Sequence, residues 1–210
     1  LNEPVQANGG EIVLDIEFSY DIPETGVDRM GVLEVDDAEV YSIAQWYPQM
    51  AVLDDVDGWA TLPYLGAGEF YLGYGDFDYK ITVPYNHIVV GSGALQNPKE
   101  VLTKEQIKRL NKASKSDETI FIIKPEEVGR AETRPKASGN LTWHFKMYNT
   151  RDIAFASSPA FVWDAAKINL PSGKTALAQS VYPNESFESH GWDRSTEYTK
   201  AAIEFYSKNY

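Results

Sequence analysis

No cysteine occurs among the 210 residues. That absence removes disulfides, thiolate metal sites and cysteine nucleophiles together. There is also no run of about 18 apolar residues, so no helical membrane span is expected. The opening LNEPVQANGG lacks the basic and apolar regions of a signal peptide. Histidine is scarce, and His87, His144 and His190 stand far apart. Their spacing does not match His-Glu-x-x-His, which sets two zinc ligands one helical turn apart with a base between them. His144, between Thr142 and Lys146, reads as an exposed surface histidine. Basic residues are outnumbered 19 to 31, and the net charge is −12. Without a Lys/Arg stripe there is nothing to hold a phosphate backbone, so nucleic acid is not an expected partner.

What is present is an ordinary globular composition, 43% hydrophobic and 24% charged, and long enough for a sizeable core. Aromatics make up 13%, which leans toward β structure. Residues 11–20, EIVLDIEFSY, alternate cleanly. Ile12, Leu14, Ile16, Phe18 and Tyr20 share one face, so a half-buried strand is expected there. Residues 141–149, LTWHFKMYN, do the same, with Leu141, Trp143, Phe145 and Met147 inward. Weaker strands fit 41–46, 77–83, 87–94, 119–123, 153–156 and 176–182, separated by Gly, Pro and Asn. The expected fold is mainly β: an antiparallel saddle-like or sandwich-like domain. It carries one short, mostly exposed inserted helix over 103–112, opened by a Thr103/Gln106 capping box. A C-terminal amphipathic helix follows, with Tyr198, Ala201, Ala202 and Phe205 as its apolar stripe.

No catalytic apparatus is legible in the chain itself. The glycines of LGAGEF (Gly66, Gly68) and YLGYGDF (Gly73, Gly75) do not open a helix after a strand, as a phosphate loop would. Ser157 and Ser158 lack a G-x-S-x-G setting. Thirty-one acidic residues give no way to choose a glycosidase pair. The acidic run Asp54, Asp55, Asp57 can be laid on the EF-hand pattern, with Gly58 at the sixth position. Leu53 and Tyr64 then fill the two end positions, where an acid is needed. The simpler expectation is a turn held by Asx bonds and closed by Gly58, with Trp59 packed beneath. Asp76 and Asp78 fall on the polar face of their strand and read as solvated or interface charges. Arg151 and Asp152 are candidates for an ion pair that closes the domain.

Three stretches together carry a resemblance. AQWYPQMAVLDDVDGWATLPYLGAGEFYLGYGDFDYKITVP resembles the amino-terminal β domain of bacterial zinc aminopeptidases of the aminopeptidase N (gluzincin) family. LTWHFKMYNTRDIAFASSPAFVWDA is similar to the stretch that closes that domain, and STEYTKAAIEFYSKNY to the first helix of the thermolysin-like catalytic domain. The resemblance runs from about Gly10 to Tyr210. It implies a partial β domain over 1–184, and a loop and first catalytic-domain helix over 185–210. The family's G-x-M-E-N and H-E-x-x-H motifs are absent, so the chain is expected to be an internal piece without catalytic or metal-binding residues. Zinc would belong to the parent enzyme, and the partners would be its own catalytic domain and the amino end of a peptide substrate. An envelope or secreted location goes with the resemblance. A sheet edge left open by missing strands would be free to pair with another copy of the chain.

The resemblance also implies substrate-binding residues: Gln45 and Tyr47, with Trp46 and Pro48 around them. Many relatives carry Gln or Glu where this chain has Tyr47, and a neutral phenol cannot offset an ammonium as a carboxylate does. Tyr47 can still wall a pocket or make a cation–π contact. Gln45 is equally readable as a buried amide that ties strands together. Two other readings stand beside the aminopeptidase domain. One is a carbohydrate-binding β-sandwich, suited by five Trp, many Tyr and an acidic surface. The other is an interaction domain whose catalytic half has been lost.

Overall fold

The computed structural model describes residues 4–24, 29–36, 38–63 and 70–210; Gly66 and Gly68 lie outside them. The chain is mainly β, with antiparallel sheets and few helices. Strands β1 (Met30–Val35), β2 (Ala38–Ala44), β3 (Leu53–Asp54), β4 (Gly58–Trp59), β5 (Gly75–Pro84), β6 (Ile88–Gly91) and β7 (Ala94–Leu95) come first. Helices α1 (Pro98–Val101) and α2 (Lys104–Ala113) follow, then β8 (Ile120–Ile123), β9 (Asn140–Thr150), β10 (Ala154–Ser158), β11 (Phe161–Asn169) and β12 (Thr175–Pro183). Two more helices, α3 (Asn184–Glu188) and α4 (Ser195–Asn209), end the chain. The strands form sheets in the orders β1-β2-β10-β6, β12-β11-β8 and β5-β9-β7, with β3-β4 a small hairpin.

The core is where alternation and pairing coincide. Strand β9 lies between β5 and β7, and its inward Trp143 and Phe145 are buried. They meet Ile88 and Val89 of β6, Ile122 and Ile123 of β8, and Phe161 and Trp163 of β11. Strand β11 was not expected from sequence. FVWDAAKIN is buried on both faces along nearly its whole length, so its apolar residues, interrupted by Asp164 and Lys167, show no alternation to detect. Asp164 sits in its middle, buried, and accepts from the Tyr182 hydroxyl at 2.5 Å. Burial pushes its carboxyl above the usual range.

Strand β1 was also missed, and the segment read as one strand over 87–94 is two. A turn at Ser92–Gly93 divides them. Gly93 has φ +88°, and a Cβ there would lie 2.3 Å from the Lys146 carbonyl oxygen, so only glycine fits.

Four expectations are corrected. Residues 11–20 form no strand: Val13 is 82% exposed, and Ile12, Leu14, Ile16 and Phe18 are all exposed. Alternation supplies a face, but a strand needs a neighbour, and none among the described residues pairs with this segment. Helix α2 is not mostly exposed. Gln106 and Ala113 are buried, and Ile107 and Leu110 pack on the core. Its capping box is formed, with Gln106 N–H donating to Thr103 Oγ1 at 3.2 Å and Thr103 N–H to Gln106 Oε1 at 2.9 Å. The short α1 precedes it, so the insertion holds two helices. Helix α4 docks by its polar side. Thr196 is buried and bonds Ser180, Lys200 donates to the Lys167 carbonyl, and Glu204 accepts from the Asn169 N–H. The stripe Tyr198, Ala201, Ala202, Phe205 therefore faces outward, exposed along its length. Polar groups win because β11 and its end offer unpaired backbone groups at that spacing, which apolar side chains cannot satisfy.

Arg134 fastens three loops. Its buried guanidinium donates to the carbonyls of Asn86, Pro159 (2.6 Å) and Thr133 (3.0 Å). Burial lowers its pKa to about 10, so it stays charged at neutral pH. Gln106 Nε2 reaches the same Thr133 carbonyl at 2.9 Å and joins α2 to that fastening.

Candidate functional site

Strand β2 ends at Ala44, whose N–H is held by the Arg29 carbonyl at 2.9 Å. Gln45 then takes φ +53°, left-handed space that a non-glycine residue enters at a cost of roughly 1–2 kcal/mol. The turn that results sends Gln45, Tyr47 and Gln49 to one side. All three line a cleft of about 300 Å³, with Met50, Leu62 and Tyr71 among its other walls. Gln45 is half-buried, and its Oε1 is buried with no hydrogen-bond partner among the described residues.

Trp46 is not among the residues that line the cleft. Its ring meets Tyr47 edge-on at 4.9 Å, Phe155 at 5.1 Å and Tyr79 at 6.3 Å. These contacts brace the corner. Edge-to-face contacts of this kind are worth about 0.5–1.5 kcal/mol each beyond area burial. Pro48 is exposed.

Tyr47 is the most tightly held of the three. Its hydroxyl donates to Asp152 Oδ1 at 2.7 Å and accepts from Gln49 Nε2 at 2.7 Å. The same carboxylate oxygen also accepts from the Ile153 N–H at 2.8 Å and from Gln49 Nε2 at 3.3 Å. Burial first, and the Asp152 carboxylate second, push the phenol far above its ordinary range, so it stays neutral. Phe77 closes its ring from one side at 5.7 Å. Asp152 and Arg151 do not pair. Arg151 lies over the Tyr74 ring, 4.9 Å from its centre.

Sequence reading named Gln45 and Tyr47, which the structure places on one cleft, but not Gln49 beside them or the contact of Asp152 with Tyr47. The i, i+2, i+4 spacing of Gln45, Tyr47 and Gln49 was a signal for the first. Asp152 comes from 105 residues away and left no local trace.

The other candidates resolve into structure. Asp54 Oδ1 accepts from the N–H groups of Val56 (3.0 Å) and Asp57 (2.8 Å), which hold its carboxyl below the usual range. Gly58 closes the turn at φ +76°. That is the expected Asx turn, but Trp59 is 57% exposed and not packed beneath it. Asp78 meets His144 Nε2 at 2.5 Å and pairs with Lys146 at 2.9 Å across β5 and β9, so His144 is a half-buried hydrogen-bond partner and not a free surface residue. Asp76 accepts from the Asn149 N–H. His87 Nδ1 meets Ser157 Oγ at 2.9 Å, and burial lowers its pKa. His190 pairs with Asp193. The three histidines thus serve three separate places. Among the described residues no three His, Asp or Glu side chains converge in a way that fits a zinc ion.

What the corner offers chemically is an apolar-walled cleft with one uncommitted amide oxygen, one phenol oxygen and a carboxylate one bond behind. No protein-family model, no curated protein and no solved structure matches the chain.

Proposed function

We propose that the chain is the noncatalytic β domain of a zinc-dependent aminopeptidase. In this reading the Gln45–Tyr47–Gln49 corner is the part of the substrate cleft that receives the peptide's amino end. The observation that carries it is Gln45, which lines the cleft while its buried Oε1 lacks a donor among the described residues. Leaving a buried acceptor unpaired costs about 1–3 kcal/mol, and an ammonium group would relieve that cost. Tyr47 donates its own proton to Asp152 and so presents only acceptor capacity to a ligand, part of which Gln49 uses. The Asp152 carboxylate supplies, through the phenol, the negative charge that tyrosine alone lacks. The zinc, its ligands and the water-activating glutamate belong to the catalytic domain, outside this chain. The outward apolar side of α4 is the surface on which that domain would pack.

Two experiments test the reading. Sequencing the frame beyond the Tyr210 codon should reveal G-x-M-E-N and then H-E-x-x-H; a frame without them overturns the aminopeptidase assignment. Titration of the 210-residue chain with leucine amide, followed by NMR, should shift resonances at Gln45 and Tyr47. N-acetyl-leucine amide should not, and equal shifts from both would remove the amine-binding role. The chain alone should cleave no aminoacyl-anilide. A sugar-binding reading draws on the exposure of Trp59 and Trp192. Glycan-dependent quenching of tryptophan fluorescence, lost in Trp59→Ala, would favour it.

A further inference from the structure

We propose that the cleft beside helix α2 binds a slender, uncharged aliphatic ester or ketone, and that Trp163 donates its indole N–H to the ligand's carbonyl oxygen.

The cleft measures about 700 Å³, against about 300 Å³ for the Gln45–Tyr47–Gln49 corner, and shares no lining residue with it. Helix α2 and strands β6, β7, β9, β11 and β12 all supply walls. Val89, Phe145 and Trp163 line it and are yet only 1–3% exposed. Ile107, Leu110 and Leu177 are half-buried around them. A slot whose deepest side chains water barely reaches has no room for a helix. It suits an extended methylene chain, which gains by leaving water. The Met147 thioether, also on the wall, adapts its shape to such a chain. The entrance is kept open by residues with little or no side chain, Gly93, Ala94 and Ala176, all exposed.

Charge narrows the ligand further. Asp, Glu, Lys and Arg make up 24% of the chain, but none of the described residues lining the cleft is charged. An ionised head group would enter it without a counter-charge, which is costly, so the ligand is neutral. Hydrogen bonding supplies the last constraint. The Trp163 Nε1–H is buried and has no acceptor among the described residues. An indole can only donate, so only an acceptor satisfies it. The β11–β8 register shifts between Trp163 and Asp164, an irregularity of the kind that re-aims side chains and recurs beside binding sites. The other polar side chains on the lining are Asn111, Ser114 and Gln179. Asn111 and Ser114 are exposed and Gln179 is half-exposed, so water can serve them. What the cleft lacks is therefore one acceptor on an apolar chain.

The test is titration of the 210-residue chain with octyl acetate, followed by NMR at the Trp163 indole N–H, which is identified by its loss in Trp163→Phe. That resonance should move downfield and saturate. Trp163→Phe should bind about fivefold more weakly, the scale of one hydrogen bond. Octane, which has no acceptor, should lose about as much with the unmodified chain. Decanoate, which brings a charge, should bind at least tenfold more weakly than octyl acetate. Ala176→Trp fills the entrance from an exposed position, leaves the core intact and should abolish binding. No saturable shift overturns the proposal, and so does full affinity in Ala176→Trp. Equal affinity for decanoate and octyl acetate overturns the neutral-ligand assignment. Cleft resonances that move with protein concentration in the absence of ligand would show that a second copy covers the cleft, and would overturn it too.

Discussion

Residues 11–20 and strand β9 carry the same pattern and meet opposite fates. Both alternate apolar and polar side chains over about ten positions. In β9 the apolar row ends in the core, with Trp143 fully buried between sheets. In residues 11–20 the equivalent row faces water. The difference lies in the neighbours and not in the pattern. Strand β9 has β5 on one side and β7 on the other, and helix and sheet cover its inner face. Alternation therefore specifies which side chains can be buried together, and long-range pairing decides whether they are.

The sharpest way to break the comparison is Trp143→Ala against Ile16→Ala. Removing the buried indole should cost about 3–5 kcal/mol in urea unfolding. Removing the exposed isoleucine from dilute, monomeric chain should change stability by less than about 0.5 kcal/mol. Similar losses for both would mean that residues 11–20 are buried in solution.

Next in size is Arg109. It grips Glu127 through two nitrogens, at 2.5 and 2.8 Å, and so ties α2 to the segment after β8. Arg109→Ala should cost about 2 kcal/mol, the scale of hydrogen bonds to charged groups. The same contact pulls Glu127 down to about 2. A depressed carboxylate stabilises the fold above its unfolded pKa and loses that contribution as the pH falls toward about 2. Acid titration of stability should thus be shallower in Arg109→Ala below pH ~4.3. Asp164 has the opposite sign. Its raised pKa favours the fold at low pH, and the contribution is lost as the pH rises through the folded value. Asp164→Asn should flatten that part of the profile. A smaller loss than that of Arg109→Ala is expected from Thr103→Ala, about 1 kcal/mol from the capping box of α2.

Much of the architecture could be read in the sequence because its cause is local. The capping box at Thr103 and Gln106, and the two-residue period of β9, are written within a few positions. Strand β11 could not be read that way. Being covered on both faces erases the period, and the acid at Asp164 breaks the run. The docking side of α4 was misread because the apolar stripe Tyr198–Phe205 is the obvious face. The polar row Thr196, Lys200, Glu204 matters only once Ser180, Lys167 and Asn169 are in place to receive it. In the candidate site, Gln45 and Tyr47 share a side by spacing alone. Asp152, which sets the chemistry of Tyr47, arrives through the fold.

The Arg134 fastening has a consequence for how the molecule opens. One side chain holds the turn before β6, the turn before β11 and its own short helical segment, and Gln106 joins α2 to the same carbonyl. None of these loops can lift away while leaving the guanidinium satisfied. They should therefore breathe as one unit. Their amides should exchange hydrogen with a common free energy of opening, although they lie up to about seventy residues apart in the chain.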